Sequence, residues 1–444
     1  MMLVRSITTL SLVFILYFCT SGGAFTTEAL VASVGPGMAL LILVVVPVVY
    51  SLPEILVVGE LASMLPVEGG YYRWVQRAFG PFWAFQNGWL TWMYSLVDME
   101  IYPKLFVTYL AWFAPDLPAW GVWVIGLAMI WGATGLNLAG AGRVGRSSVV
   151  AGTFILTSFA AISVAALMHA SHVPWRPFSA PGHAGAGGLA VGLSIGLWNY
   201  IGWDNASTVQ GEVRDASRSY PRALAIALPL VALGYLVPLL ATLAATDWTT
   251  WTEGGWPRIA LDVGGRLGLL LAAWVALAGM VSALALFNAL LLAYSRIPFV
   301  MAADGLLPSA LGRTDARGTP RAAVLFAAVC YSVFMLLPFG GLVVADVVLY
   351  SLALLLEMGS LIALRIREPE LRGSFRVPVG TLGVALLAAL PLCVLLLVVA
   401  LSFVDGEYGL PAVLGAGAAI GLGPLCYVFA RHHARRAAVL TDPA

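Results

Sequence analysis

Two kinds of residue in this sequence could do chemistry where chemistry is costly: carboxylates inside long apolar stretches, and glycines where a helix should run unbroken. Asp204 is the clearest of the first kind, set in residues 198–212, WNYIGWDNASTVQGE, about midway along an apolar stretch. A charge at the centre of a bilayer costs several kcal/mol, so it persists where it has a partner, a ligand or a proton to carry. Two roles fit Asp204. It could cap a helix starting at Asn205, a position aspartate fills well, or it could meet an ammonium group or a coupled proton.

Other carboxylates lie in similar surroundings. Asp98, Glu100 and Lys104 share one stretch. Glu100 and Lys104 stand at i and i+4 with the acid first, the favourable order for an intrahelical pair, which leaves Asp98 without a partner. Glu54 and Glu60 lie in a second stretch, Asp346 and Glu357 in a third. Glu60 falls in the last turns and reads as structural, bonding a neighbouring loop; for Glu54 and Glu357 site and structural roles both stand open. A cavity built from these groups is electronegative, because the one lysine near them is already paired, and it favours an amine-bearing solute.

Other chemistries are excluded. Cys19, Cys330, Cys393 and Cys426 fall in apolar runs, and none has a partner at metal-ligand spacing. His169, His172, His183, His432 and His433 all sit at or beyond the ends of apolar runs, so no metal and no histidine catalysis is expected inside them. Residues 192–196 spell GxSxG, but the strand-turn-helix setting and partner histidine of a serine hydrolase are missing. Gly188, Gly192 and Gly196 instead repeat every four residues, a ridge for close helix packing. No phosphate-binding loop is present, so the chain is read as neither an enzyme nor ATP-driven, and no cofactor is expected.

The elements that must hold these residues follow from composition. Of 444 residues 61% are hydrophobic and 10% charged, with a mean hydropathy of +0.92. Soluble domains carry about 25% charged residues, so the chain is an all-α integral membrane protein. A formal charge of +1 without a basic block excludes nucleic acid as a partner. At about 20 residues per crossing, spans fall near 7–34, 37–64, 82–113, 119–138, 147–169, 187–211, 222–245, 267–300, 322–341, 343–364, 381–403 and 410–430, about twelve transmembrane helices. Arg5 and Cys19 hint at a signal sequence, but Phe18 is too bulky for a lipoprotein cleavage site and the apolar pattern continues to Val34. With the N-terminus inside, 19 of the 23 basic residues fall in cytoplasmic segments and only Arg176, Arg258 and Arg266 outside, which predicts both termini in the cytoplasm. The aromatics from Tyr71 to Trp92 read mostly as interfacial anchors, and Arg214, Asp215, Arg218 and Arg222 as a charged cytoplasmic loop.

Span 1 is interrupted by Ser21, Gly22 and Gly23, and span 6 by Asn199 to Asn205, each about midway. Glycine costs about 1 kcal/mol relative to alanine inside a helix, so paired glycines mark a break. Interruptions at matching positions of two five-span halves point to an inverted-repeat secondary transporter whose site uses the freed helix ends; kinks used only for packing are the alternative. The first repeat is expected over 1–170, the second, inverted, over 187–366, and two additional spans over 381–431.

Serine-glycine-glycine at 21–23, PVEGGYYRW at 66–74, GPFWAFQNGW at 80–89, residues 198–212, SRIPFVMAADGLLP at 295–308 and FRVP at 375–378 together resemble the amino acid/polyamine/organocation permease superfamily. The resemblance is greatest to the branch of plant-type polyamine uptake transporters and their bacterial relatives. It covers about residues 8 to 380 and leaves the last two spans without a signature. It implies a leucine-transporter-type fold, substrate held between spans 1, 3, 6 and 8, and alternating access in the cell membrane. Backbone amides at Ser21, Gly22, Gly23 and Ala24 would hold a substrate carboxylate, in keeping with the positive end of a helix dipole; a polyamine has none. Glu28 could complement that dipole. Asp98, Trp198, Gly202, Trp203 and Asp204 complete the implied site, with Trp198 matching an aromatic gate, although a lipid-facing tryptophan would look alike in sequence. Relatives keep an aspartate at the Asp98 position and apolar residues at Glu100 and Lys104. Transporters of this fold often use sodium or a lysine in span 5, and none occurs from Arg146 to Ala170. Proton coupling then needs a carboxylate, Asp204 first, then Asp98 or Glu54, while a sodium site made of carbonyls stays open. The expected function is proton-coupled symport of an amino acid or polyamine, with an amino acid exchanger or a non-transporting sensor as alternatives.

Overall fold

The computed structural model describes residues 3–181, 186–336, 342–402 and 409–441. His183, residues 337–341 at the end of the ninth expected span and residue 403 at the end of the eleventh lie outside the described residues. The described chain is helical. Its helices are α1 (Thr9–Thr20), α2 (Thr27–Val34), α3 (Pro36–Val46), α4 (Leu52–Met64), α5 (Gly70–Phe79), α6 (Pro81–Leu110), α7 (Ala119–Leu138), α8 (Ala141–Leu167) and α9 (Ala186–Trp198). They continue as α10 (Ala216–Leu243), α11 (Trp256–Val263), α12 (Gly268–Tyr294), α13 (Arg296–Ala303), α14 (Arg321–Phe334), α15 (Leu342–Arg367), α16 (Thr381–Ser402) and α17 (Gly409–Thr441). Eight helical stretches among the described residues are long and apolar enough to cross a membrane, and three shorter apolar helices accompany them. Leu382, Leu269 and Phe429 are 76%, 70% and 75% exposed, a surface that lipid solvates and water would not.

Local chemistry sets the element ends. Thr8 caps α1, its side chain accepting from the Ser11 amide at 3.2 Å. The helix stops where Gly22 and Gly23 take φ of 81° and 111°, values that β-carbon-bearing residues avoid. A Cβ on Gly22 would also lie 2.6 Å from Leu286 of α12. Between α3 and α4, Pro47 and Pro53 each remove an amide donor, and Pro47–Ser51 widens into a π-helical turn that no spacing rule announced. After α9 the chain is non-helical until Asn205–Glu212, a 3₁₀ helix rather than an α-helical half-span.

Helices α1, α6, α8, α10, α12 and α15 pack around these irregular segments. Gly192 and Gly196 of α9 face Val34 and Ile42 of α2 and α3 closely enough that a Cβ would collide, so they do form a packing ridge. The aromatic run corrects the sequence expectation. Tyr71, Tyr72 and Trp74 are fully buried, because α5 is amphipathic and turns that face into the protein; Trp83 is the exposed member.

Candidate functional site

Irregular backbone at membrane depth must find partners within the protein, and the partners here define the site. Around the break in α9, Ser51 donates to the Tyr200 carbonyl at 3.1 Å, Tyr220 to the Trp203 carbonyl at 3.0 Å and Tyr235 to the Asn199 carbonyl at 2.7 Å. The Trp203 amide donates to Glu54 Oε1 at 3.0 Å and the Gly202 amide to the Tyr350 hydroxyl at 2.8 Å. Around the other break, between α1 and α2, Ser282 donates to the Gly22 carbonyl at 2.6 Å and Trp256 to the Ala24 carbonyl at 2.8 Å. Thr26 donates to Asn199 at 3.0 Å and joins the two breaks. Gly202, with φ of 102°, lies so close to Cys19 that a Cβ would run into its carbonyl oxygen.

Between the breaks is a polar cavity of about 20 Å³, lined by Ser21, Asp98, Trp198, Gly202, Asp346 and Tyr350 among others, with no lysine or arginine in its wall. It has room for about one water, so it is closed. Asp98 accepts from Tyr102 at 2.6 Å and from Tyr294 at 3.0 Å. The expectation of an unpartnered Asp98 is therefore corrected: it lacks a cation but has two phenol donors. Asp346 is 1% exposed, and neither of its carboxylate oxygens has a protein donor. Trp198 stacks on Tyr102 with ring centroids 6.5 Å apart. On its other side Trp198 borders a vestibule of about 360 Å³ that also touches Thr26, Lys104 and Glu253. A third cavity of about 500 Å³, against Phe106, Met129 and Val281, carries no acid or base in its wall and is apolar.

Of the residues expected in the site, Ser21, Asp98, Trp198 and Gly202 line the cavity. Gly22 packs on Leu286 and Gly23 on Ile155. Their amides are bonded locally, Gly22 to the Tyr17 carbonyl at 3.2 Å and Gly23 to Ser21 Oγ at 3.1 Å. Ala24 and Trp203 sit behind the wall, with Ala24 taking the Trp256 bond and Trp203 buried. Asp204 makes no side-chain cap on the 3₁₀ helix. Its Oδ1 instead accepts from Tyr350 at 2.6 Å, and the same hydroxyl lies 2.5 Å from Glu54 Oε1. Glu357 stands beside Asp204, and its Oε1 accepts from Asn87 at 3.4 Å. None of the ion pairs among the described residues includes Glu54, Asp98, Asp204, Asp346 or Glu357.

The remaining acids are placed otherwise. Glu100 pairs with Lys104 at 2.5 Å, as the spacing predicts. Glu60 takes both arms of Arg365 and the Val377 amide, the neighbouring-loop role read for it. Glu28, at the start of α2, accepts from Tyr109 at 3.1 Å and from the Gly254 amide at 2.9 Å.

Sequence reasoning missed Tyr350, Tyr294, Tyr102 and Asn87. The signal lay in helical phase: Asp346, Tyr350 and Glu357 fall within about 40° of one another around α15, and Tyr102 stands one turn from Asp98.

Over residues 7–412 the sequence matches the amino acid permease family. It is 34% identical over 403 residues to the polyamine transporter PUT1 of Oryza sativa subsp. japonica, covering 90% of this chain and 74% of that protein. It is 33% identical over 391 residues to the polyamine transporter RMV1 of Arabidopsis thaliana, covering 87% of this chain and 79% of RMV1. A probable polyamine transporter of the same plant is 33% identical over 405 residues, covering 90% of this chain and 80% of that one. A helical membrane architecture, a closed polar cavity between two helix breaks and a match across most of its length lead to one conclusion: the chain belongs to the amino acid permease family, and is a transporter rather than an enzyme.

Proposed function

We propose that this protein is a secondary active transporter of an amine-bearing organic cation, a polyamine first and a cationic amino acid second, driven by protons and working by alternating access. The observation that carries this reading is Asp346, a buried carboxylate in a cavity wall with no protein donor for either oxygen. An ammonium group supplies the missing partner, and Asp98 offers a second carboxylate in the same wall. The rings of Tyr94, Tyr102, Trp198 and Tyr294 add faces that attract a cation. A substrate carboxylate has less to meet, since the Gly22 and Gly23 amides are already bonded. Relatives named as polyamine transporters agree with this preference.

In this reading the helices form twelve crossings of the cell membrane with both termini in the cytoplasm, the halves 1–170 and 187–366 are inverted repeats, and 381–431 is an addition. The Trp198 vestibule then faces outward. Substrate enters past Trp198, the breaks rock around it, and Asp204 returns a proton between the two faces.

The test is reconstitution in liposomes with spermidine, putrescine, arginine and alanine as competitors. Uptake should saturate, support counterflow and be inhibited most by the two polyamines. Linear flux would contradict a carrier, binding without flux would mean a sensor, and competition by alanine alone would overturn the cationic preference.

A further inference from the structure

Beyond the cavity wall, toward the Arg365 end of α15, lies a cluster of buried acids that substrate contact does not account for. Glu54 of α4, Asp204 of the break and Glu357 of α15 are 0%, 1% and 0% exposed. Tyr350 touches both the cavity and this cluster. The hydrogen atoms can be counted. Tyr350 O lies 2.5 Å from Glu54 Oε1 and 2.6 Å from Asp204 Oδ1, and it accepts the Gly202 amide at 2.8 Å. One lone pair is thus occupied, and the hydroxyl has a single proton to give. It can donate to one carboxylate and accept from the other, so one of the two acids is protonated. Asp204 and Glu357 are also within hydrogen-bonding reach of each other, and two carboxyl groups in that relation need a further proton between them. Three oxygen contacts and one phenol proton leave two protons for three carboxyl groups.

A second feature points the same way. Asn87 is fully buried, its amide nitrogen is on Glu357, and its Oδ1 has no partner; Tyr71, fully buried nearby, has an unpartnered hydroxyl. Glu54 Oε2 and Glu357 Oε2 are unpartnered as well. The cluster therefore holds more acceptor atoms than the protein satisfies, which added O–H groups would relieve. A metal cation is not favoured, since no group of three or more acids, histidines or cysteines among the described residues is placed to hold one. The titratable groups facing these acids are Cys19, Tyr50, Tyr71, Tyr94, Tyr220 and Tyr350. None of the ion pairs among the described residues involves any of the three acids.

We propose that Glu54, Asp204 and Glu357 form a proton-holding cluster separate from the substrate cavity, carrying two protons in the closed state and reporting its charge to the cavity through Tyr350. Its use in transport rests on the function proposed above; the proton content does not. The test is infrared spectroscopy of the purified full-length protein at neutral pH, exchanged between H₂O and D₂O. Wild type should show a protonated-carboxyl C=O stretch that shifts in D₂O. That band should weaken in E54Q and again in E357Q, stay unchanged in E368Q, and shift in Y350F. Absence of the band in wild type would overturn the proposal without needing any variant to fold. An unchanged band in both E54Q and E357Q would overturn it as well. Failure of the uptake experiment with the band intact would remove the transport reading and leave the proton-holding cluster.

Discussion

The protein uses the same side chains in two opposite ways. At one end of the bundle arginines match the acids: buried Glu60 with Arg365, buried Glu212 with Arg296 at 2.6 Å, and half-buried Asp304 with Arg73 at 2.8 Å. About 12 to 29 Å from Arg365 along α15, between Glu357 and Asp346, the acids of the breaks meet tyrosines, asparagine, backbone amides and, for Asp204 and Glu357, each other. A buried pair whose charges cancel is held in place, because removing either partner strands the other. A buried acid without a cation can change its charge at little structural cost, by taking or losing a proton or by meeting an ammonium group. The first region suits closure and the second suits transport.

This contrast can be broken from the paired side first. Replacing Arg365 by methionine leaves Glu60 charged and buried, and should cost about 3–5 kcal/mol, seen as a large fall in the thermal unfolding temperature in detergent. Gly202→Ala comes next. With φ of 102° and Cys19 in the way of a Cβ, the break cannot keep its shape, and uptake should be lost while the protein still inserts, as judged by membrane fractionation. Glu54→Gln should move the unfolding temperature far less than the Arg365 change, by about 1 kcal/mol or less, since glutamine matches glutamate in size and can still meet the Tyr350 hydroxyl and the Trp203 amide. If Glu54→Gln destabilises as much as Arg365→Met, the two regions do not differ as described.

The smallest effect belongs to the exposed pair Arg77 and Glu368, 2.7 Å apart. The hydrogen bond from Arg77 holds the Glu368 carboxyl below its ordinary value. For an acid with a lowered folded value, the stabilisation is present above the unfolded value, about 4.3, and is lost as pH falls through the folded one. Glu368→Gln should therefore leave unfolding at neutral pH nearly unchanged and remove only a slight, salt-sensitive loss of stability in acid, measurable by comparing melts across that range in low and high salt.

Much of the contrast was legible in the residues. The acid-first spacing of Glu100 and Lys104 gave their pair, the run Ser21, Gly22, Gly23 marked one break, and the stretch from Asn199 to Asn205 marked the other. Asp204 was ambiguous because aspartate caps helices as readily as it carries protons, and spacing does not show that its side chain leaves the 3₁₀ helix uncapped and meets Tyr350. Tyrosines were overlooked because in an apolar helix they look like core until their helical face is drawn with Asp346 and Glu357. Gly22 and Gly23 misdirect for a different reason: spacing shows where amides come free of the helix, but not that Tyr17 and Ser21, a few residues away, recapture them. The π-helical turn at Pro47–Ser51 was hidden because two prolines announce a disturbance without saying which kind.

The most direct test of the unpaired acids is pH-gradient-driven uptake of spermidine by proteoliposomes containing wild type or Asp204→Asn. Wild type should accumulate spermidine against its gradient when the outside is acidic and only equilibrate when the pH is equal. Asp204→Asn should fail to accumulate under the same gradient. Survival of exchange at equal pH would assign Asp204 to the proton alone, and loss of binding would make it a substrate ligand as well. Normal accumulation by the asparagine variant would contradict the account, and would reduce Asp204 to a structural carboxylate beside Tyr350.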